Sequence, residues 1–156
     1  MIFLKKASVA DAGELYQMQV QAFLPLLYRY RDYETNPAAE EQDKTLGRLQ
    51  RDGSSYYFIL NDGVKVGAIR VQRLEESCRI SPIFVLPEHQ GNGYAQKALE
   101  LVEDLHPGTQ RWELDTILQE SKLRHLYEKS GYCRIGEETF VNDKMSLVQY
   151  QKITKG

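Results

Sequence analysis

Apolar residues along the chain follow two spacings, alternation and recurrence every third or fourth position, and the changeovers between them mark out strands and helices. Ile2 to Lys6 reads as a short strand. Ser8 then offers an N-cap hydroxyl, with Asp11 placed to put negative charge in a first helical turn. Leu15, Met18 and Ala22 share one face, which predicts an amphipathic helix over Val9 to Phe23 that Pro25 should end. Leu24 to Asn36 has no clean period, and in it Tyr28, Tyr30 and Tyr33 interleave with Arg29, Arg31 and Asp32. Such a segment either lines a site or is a partly buried loop or helix extension whose tyrosines pack and whose arginines pair with acids. Asn36 and Pro37 have the form of an N-cap followed by proline at the first helical position, predicting a helix from Ala38 to about Arg51, closed by Asp52 and Gly53.

Ser55 to Leu60 and Val64 to Gln72 flank Asn61, Asp62 and Gly63, residues that tolerate positive φ, and so predict a hairpin. Arg79 to Leu86 is a further strand with Pro82 in its middle; proline cannot donate to a ladder, so the strand should be irregular or unpaired there. Gly91 to Leu105 has helical spacing and stops at Pro107 and Gly108. Arg111 to Ile117 alternates again, completing a strand, helix, strand unit whose two strands should be parallel and whose crossover should be right-handed. Glu120 to Ser130 is a last helix with Gly131 as its αL cap, and Cys133 to Val141 with Lys144 to Ile153 form a closing antiparallel pair around Asn142 and Asp143. Together these elements describe an α/β (α+β) domain with a mixed, mostly antiparallel sheet of about seven strands, flanked by about four helices and spanning residues 1–156.

Composition narrows the function classes. The 156 residues, 42% hydrophobic and 27% charged, match one folded domain and exclude a disordered chain. Twenty Lys and Arg against 22 Asp and Glu give a net charge of −2, so no general positive field exists to hold a nucleic acid. No apolar run approaches the roughly 18 residues of a membrane span, and Met1 to Ala7 is too short for a signal-peptide core, so the mature chain is expected to start here. Cys78 and Cys133 are isolated, as suits reduced thiols in the cytoplasm, and the scattered His89, His106 and His125 do not suggest a metal site.

The window richest in chemistry runs from Val85 to Leu99, where an apolar strand passes through Gln90, Gly91, Asn92, Gly93, Tyr94 and Ala95 into a helix. A helix N-terminus presents unpaired N–H groups and partial positive charge, and glycines let an anion approach the backbone closely. The alternative is that the glycines only start the helix tightly against the sheet. The window is neither a dinucleotide fingerprint, because Gln96 stands where a third glycine is required, nor a P-loop.

Gln90, Gly93 and Ala95, with the Val-x-Pro-Glu approach at Val85 to Glu88 and Leu-Tyr-Glu-Lys-Ser-Gly-Tyr at Leu126 to Tyr132, resemble the GNAT superfamily of N-acetyltransferases over nearly the whole chain. The resemblance implies acetyl-CoA as co-substrate, its pyrophosphate held by backbone amides from Gln90 to Ala95. It also implies a fourth strand splayed from the fifth, where the backbones of Phe84 and Val85 receive the pantetheine arm and the acetyl carbonyl. Tyr127 matches the family's general acid. Glu120 falls where relatives carry an asparagine beside the pantetheine arm, and Ser81 falls where many carry a glutamate base. Glu113, Asp115, Glu75, Glu76 or a water chain remain alternatives for that base. The acceptor implied is a small-molecule or peptide amine, with Arg29 or Arg31 as candidates for an acidic group on it. The oligomeric state is left open, a homodimer included. The competing reading is a GNAT-like module that binds an acyl-CoA for sensing and transfers nothing.

Overall fold

A computed structural model of the chain describes residues 1–154. Seven strands form one sheet: β1 (Ile2–Lys6), β2 (Ser54–Asn61), β3 (Val64–Arg73), β4 (Ser77–Val85), β5 (Arg111–Ile117), β6 (Cys133–Asn142) and β7 (Met145–Ile153), in the order β1-β2-β3-β4-β5-β7-β6. All neighbours are antiparallel except β4 and β5. Four α-helices cover it: α1 (Ala12–Tyr30), α2 (Gln42–Gln50), α3 (Tyr94–Leu105) and α4 (Ser121–Lys129). The sheet separates two cores. Tyr57, Ile59, Ile69 and Val71 point to one side, where Ala98, Leu99 and Val102 of α3 and Tyr127 of α4 meet them. Tyr56, Phe58 and Ala68 point to the other, against Leu15, Met18 and Ala22 of α1.

Two expectations from the sequence need correction. Pro25 does not end the first helix, which continues to Tyr30 because Leu27 and Tyr30 gain buried places; Arg31, at φ 55°, caps it in the left-handed region and donates its N–H to the Leu27 carbonyl. The second helix does not run from Ala38 to Arg51. Asn36 caps as expected, accepting from the Ala38 N–H at 2.7 Å, but the turn it opens is a short 3₁₀ stretch, Pro37–Ala39. Glu40 and Glu41 are extended, and α2 begins only at Gln42. The break follows from what Glu40 is doing: its carboxylate takes both ends of the Arg48 guanidinium, at 2.7 and 2.8 Å, and a bond from Gln19 Nε2, while its carbonyl accepts from the Tyr16 hydroxyl. Tertiary bonding outweighs local helix propensity here.

The irregularity expected of the proline strand is a bulge. Ile69 lies opposite Ile83 and Val71 opposite Ile80, so Ser81 and Pro82 together face Arg70 alone. The extra residue reverses the alternation. Cys78 and Ile80 belong to the α3/α4 core, whereas past the bulge it is Ile83 that packs there, and Phe84 and Leu86 turn to the α1 side.

Candidate active site

β4 and β5 pair as parallel strands only from Ser77 to Arg79 against Arg111 to Glu113, and then part. The second half of β4 therefore keeps its ladder to β3 while its other edge is unpaired by strand. Leu86 N–H donates to the Val66 carbonyl at 2.8 Å, so by antiparallel alternation Phe84 also turns its backbone to β3, and Ile83 and Val85 turn theirs to the open edge. The Val85 carbonyl, on that edge, accepts from Gln90 Nε2 at 2.9 Å, which leaves the Val85 N–H facing the gap. Of the two strand positions expected from sequence, Val85 offers its backbone and Phe84 instead seals the α1 side, its ring edge-on to Phe23 at 5.7 Å. Close approach of β3 makes this possible: a Cβ built on Gly67 would stand 2.1 Å from the Phe84 carbonyl oxygen.

The open edge leads directly into the glycine loop. Gly91 (φ 82°) and Gly93 (φ 76°) are left-handed, and a Cβ at either would meet nothing within 4 Å, so the loop opens to free space. Gly93 is the N-cap of α3 and brings no capping side chain, so the N–H groups of the first turn, Tyr94 and Ala95 among them, are not capped from within the loop. Gln90 and Asn92 act differently from the glycines. The Gln90 side chain ties the loop to Val85, its N–H is used on the Pro87 carbonyl, and Asn92 Nδ2 braces the His89 carbonyl at 3.0 Å. Tyr94 also anchors, its hydroxyl accepting from Asn61 Nδ2.

Tyr127 stands on α4 in the α3/α4 core, 5% exposed, with the Tyr132 and Tyr150 rings 6.2 and 6.3 Å away. Burial pushes its phenol well above the ordinary tyrosine range, so it stays protonated at neutral pH. Glu120 caps α4 but reaches toward α1: its Oε2 accepts from the Tyr30 hydroxyl and, at 2.9 Å, from Arg29 Nη1. Burial and then the Glu120 carboxylate raise the Tyr30 phenol. Asn142 Nδ2, at the end of β6, donates to the Tyr30 carbonyl, so the C-terminal end of α1, the start of α4 and the last hairpin are tied together at one edge of the gap. Arg29 is thereby committed, and Arg31 is a helix cap whose nearest bond is to Tyr33.

Among the described residues, two of the base candidates are engaged and two are not. Asp115 pairs with Arg79 at 2.6 Å across the fork of β4 and β5, and Glu113 lies near both Arg79 and Arg111. The Ser81 carbonyl accepts from Arg70 Nε at 2.7 Å. Glu75 and Glu76 sit exposed in the turn between β3 and β4.

Residues 14–132 match the Acetyltransferase (GNAT) family. The chain belongs to that family. Its fold is correspondingly GNAT: it superposes on the ribosomal-protein-S18-alanine N-acetyltransferase of Escherichia coli with TM-score 0.78, at 14% identity, covering 100% of this chain and 97% of that one. The spermidine N-acetyltransferase of Vibrio cholerae, in complex with CoA and spermine, gives 0.76 at 16% identity over 97% and 95%. The PaiA N-acetyltransferase of Thermoplasma acidophilum, in complex with coenzyme A, gives 0.76 at 15% over 99% of each. Among curated proteins none matches. As a GNAT enzyme the chain is an N-acetyltransferase that uses acetyl-CoA as its acetyl donor. The open edge of β4 and the uncapped glycine loop fit that donor, offering an unpaired strand edge followed by an anion-accepting helix start.

Proposed function

We propose that the chain acts as a single domain that acetylates a primary amine by direct transfer, with Val85 and Tyr127 at the reacting atoms. The Val85 N–H on the open strand edge supports a role as donor to the thioester oxygen as it gains negative charge. The amine nitrogen bonds to the acetyl carbon, the carbon–sulfur bond breaks, and the departing thiolate takes a proton from the Tyr127 hydroxyl while the amine gives up its own to solvent or a carboxylate. Gly91, Gly93, Tyr94 and Ala95 hold the pyrophosphate through backbone N–H groups, with Gln90 and Asn92 shaping the loop. Glu120 acts through Tyr30 and Arg29 to fix the wall where the acceptor enters. The reaction belongs in the cytoplasm, in keeping with free Cys78 and Cys133 and with no helix among the described residues long and apolar enough to cross a membrane.

The observation that carries this reading is the parting of β4 from β5 immediately before the uncapped glycine loop. Calorimetric titration with acetyl-CoA tests it, followed by thiol release with a panel of amines. Saturable binding that Gly93→Val weakens at least tenfold, together with amine-dependent thiol release, is expected. Binding without release to any amine would leave the acyl-CoA sensor as the function, and no binding at millimolar ligand would withdraw the site.

A further inference from the structure

The α1/α2 side of the sheet carries a buried cation with no anion. Arg70, at the centre of β3, is 5% exposed, and no carboxylate lies within ion-pair distance of it among the described residues. Its bonds go to neutral acceptors: Nε to the Ser81 carbonyl at 2.7 Å, and Nη1 to Ser54 Oγ at 3.0 Å and Gln72 Oε1 at 2.8 Å. Nη2 has no partner among the described residues. The neighbouring charges make the imbalance worse. Arg48, Arg51 and Arg79 all act on Arg70 with like charge; Glu40 neutralises Arg48 and Asp115 neutralises Arg79, but Arg51 has no ion pair among the described residues. Burial, with those arginines, lowers the Arg70 pKa to about 10. A buried charge left without a counter-ion is costly, and the usual remedy is an anion.

Position identifies which anion. Arg70 faces the bulge of β4, on the side away from α3 and α4, two residues along β3 from Ala68, which pairs with Phe84. At about 3.3 Å per residue that is about 7 Å of strand from the Phe84–Val85 backbone. Resting on the acetyltransferase reading above, we propose that Arg70 is the acceptor's recognition group: the substrate amine carries a carboxylate or phosphate a few bonds from its nitrogen, and that group pairs with the Arg70 guanidinium. The arginines singled out for this task in the sequence, Arg29 and Arg31, are respectively held by Glu120 and used as a helix cap.

Matched acceptors test it: an amino acid against its primary amide, and an aminoalkyl phosphate against the amino alcohol, with wild type, Arg70→Gln and Arg70→Lys. Wild type should favour the anionic member of one pair at least tenfold in kcat/KM, mostly through KM, and the pair favoured tells carboxylate from phosphate. Arg70→Gln should bring the preference to within twofold while the neutral acceptor changes little, and Arg70→Lys should restore part of it. No preference in wild type, or a preference that survives Arg70→Gln, overturns the assignment. If Arg70→Gln does not fold, Arg70→Lys decides alone: KM for the anionic acceptor must rise at least threefold with the neutral one unchanged. Failure of the acetyltransferase reading has a different signature, with no thiol release from either member of a pair. Inorganic phosphate should then still raise the melting temperature of wild type more than that of the Arg70 variant, and an equal shift in both overturns the anion site by itself.

Discussion

Gly67→Ala is the sharpest perturbation the site permits. The added methyl would lie 2.1 Å from the Phe84 carbonyl oxygen and 3.0 Å from the Val85 Cα, both backbone atoms that cannot rotate aside. Relief requires β3 and β4 to separate by about 1.3 Å, the amount by which 2.1 Å falls short of the 3.4 Å where ordinary van der Waals contact begins. Overpacking of this kind costs about 1–3 kcal/mol, and with backbone on both sides we expect the upper end, about 3 kcal/mol. For a chain of this size each kcal/mol lowers the melting temperature by about 2–4 °C, so a loss of about 6–12 °C is expected by calorimetry or circular dichroism. The displaced segment includes the Val85 N–H, and a 1 Å misplacement of a positioning group costs about 100-fold in turnover. Gly47→Ala is the control: it makes the same chemical change in α2, where a Cβ meets nothing within 4 Å, and should raise stability by roughly 1 kcal/mol through helix propensity. A Gly67→Ala protein that melts within 2 °C of wild type and turns over at the same rate would refute the argument that this glycine sets the β3–β4 approach.

Three further outcomes follow from the structure. Tyr127→Phe should lower kcat at least tenfold with little change in acetyl-CoA affinity, and because burial holds the phenol protonated, wild-type turnover should show no loss attributable to Tyr127 between about pH 7 and 10 in steady-state assays. Glu40→Ala strands Arg48 and Gln19 and should cost about 3 kcal/mol in denaturant unfolding, whereas replacing Glu40 and Arg48 together by methionine should cost much less. Burial, then Arg73 and Lys6, hold the His106 pKa below its ordinary value, so the unfolded chain binds the proton more readily; stability should be complete above about pH 6.5 and decline as pH falls toward 5, and His106→Gln should flatten that melting profile.

The sequence made the strands and the glycine loop legible because their signals are local: alternation, the Asn-Asp-Gly turn, a glycine pair before an apolar helix. Leu24 to Asn36 was legible only as irregular, since the continuation of α1 past Pro25 depends on burial of Leu27 and Tyr30 by distant parts of the chain. The break before α2 depends on Glu40 meeting an arginine eight residues away and a glutamine on another helix. Arg70 is silent in the sequence for the same kind of reason. In sequence it is one more charged residue in an alternating strand, and its lack of a counter-ion exists only once Ser54, Gln72 and Ser81 are folded around it. Tyr127 and Glu120 are legible only through family likeness, because a tyrosine on a helix stripe and a glutamate at a helix start carry no chemical signal of their own.

The bulge at Ser81 and Pro82 makes the centre of the enzyme depend on arithmetic. Because one surplus residue inverts the strand, deleting either would hand Phe84 to the α3/α4 side, turn Ile83 toward α1, and present the N–H of residue 84 rather than of Val85 to the gap. The number of residues in the bulge is what keeps Phe84 and Val85 on their present faces of the strand.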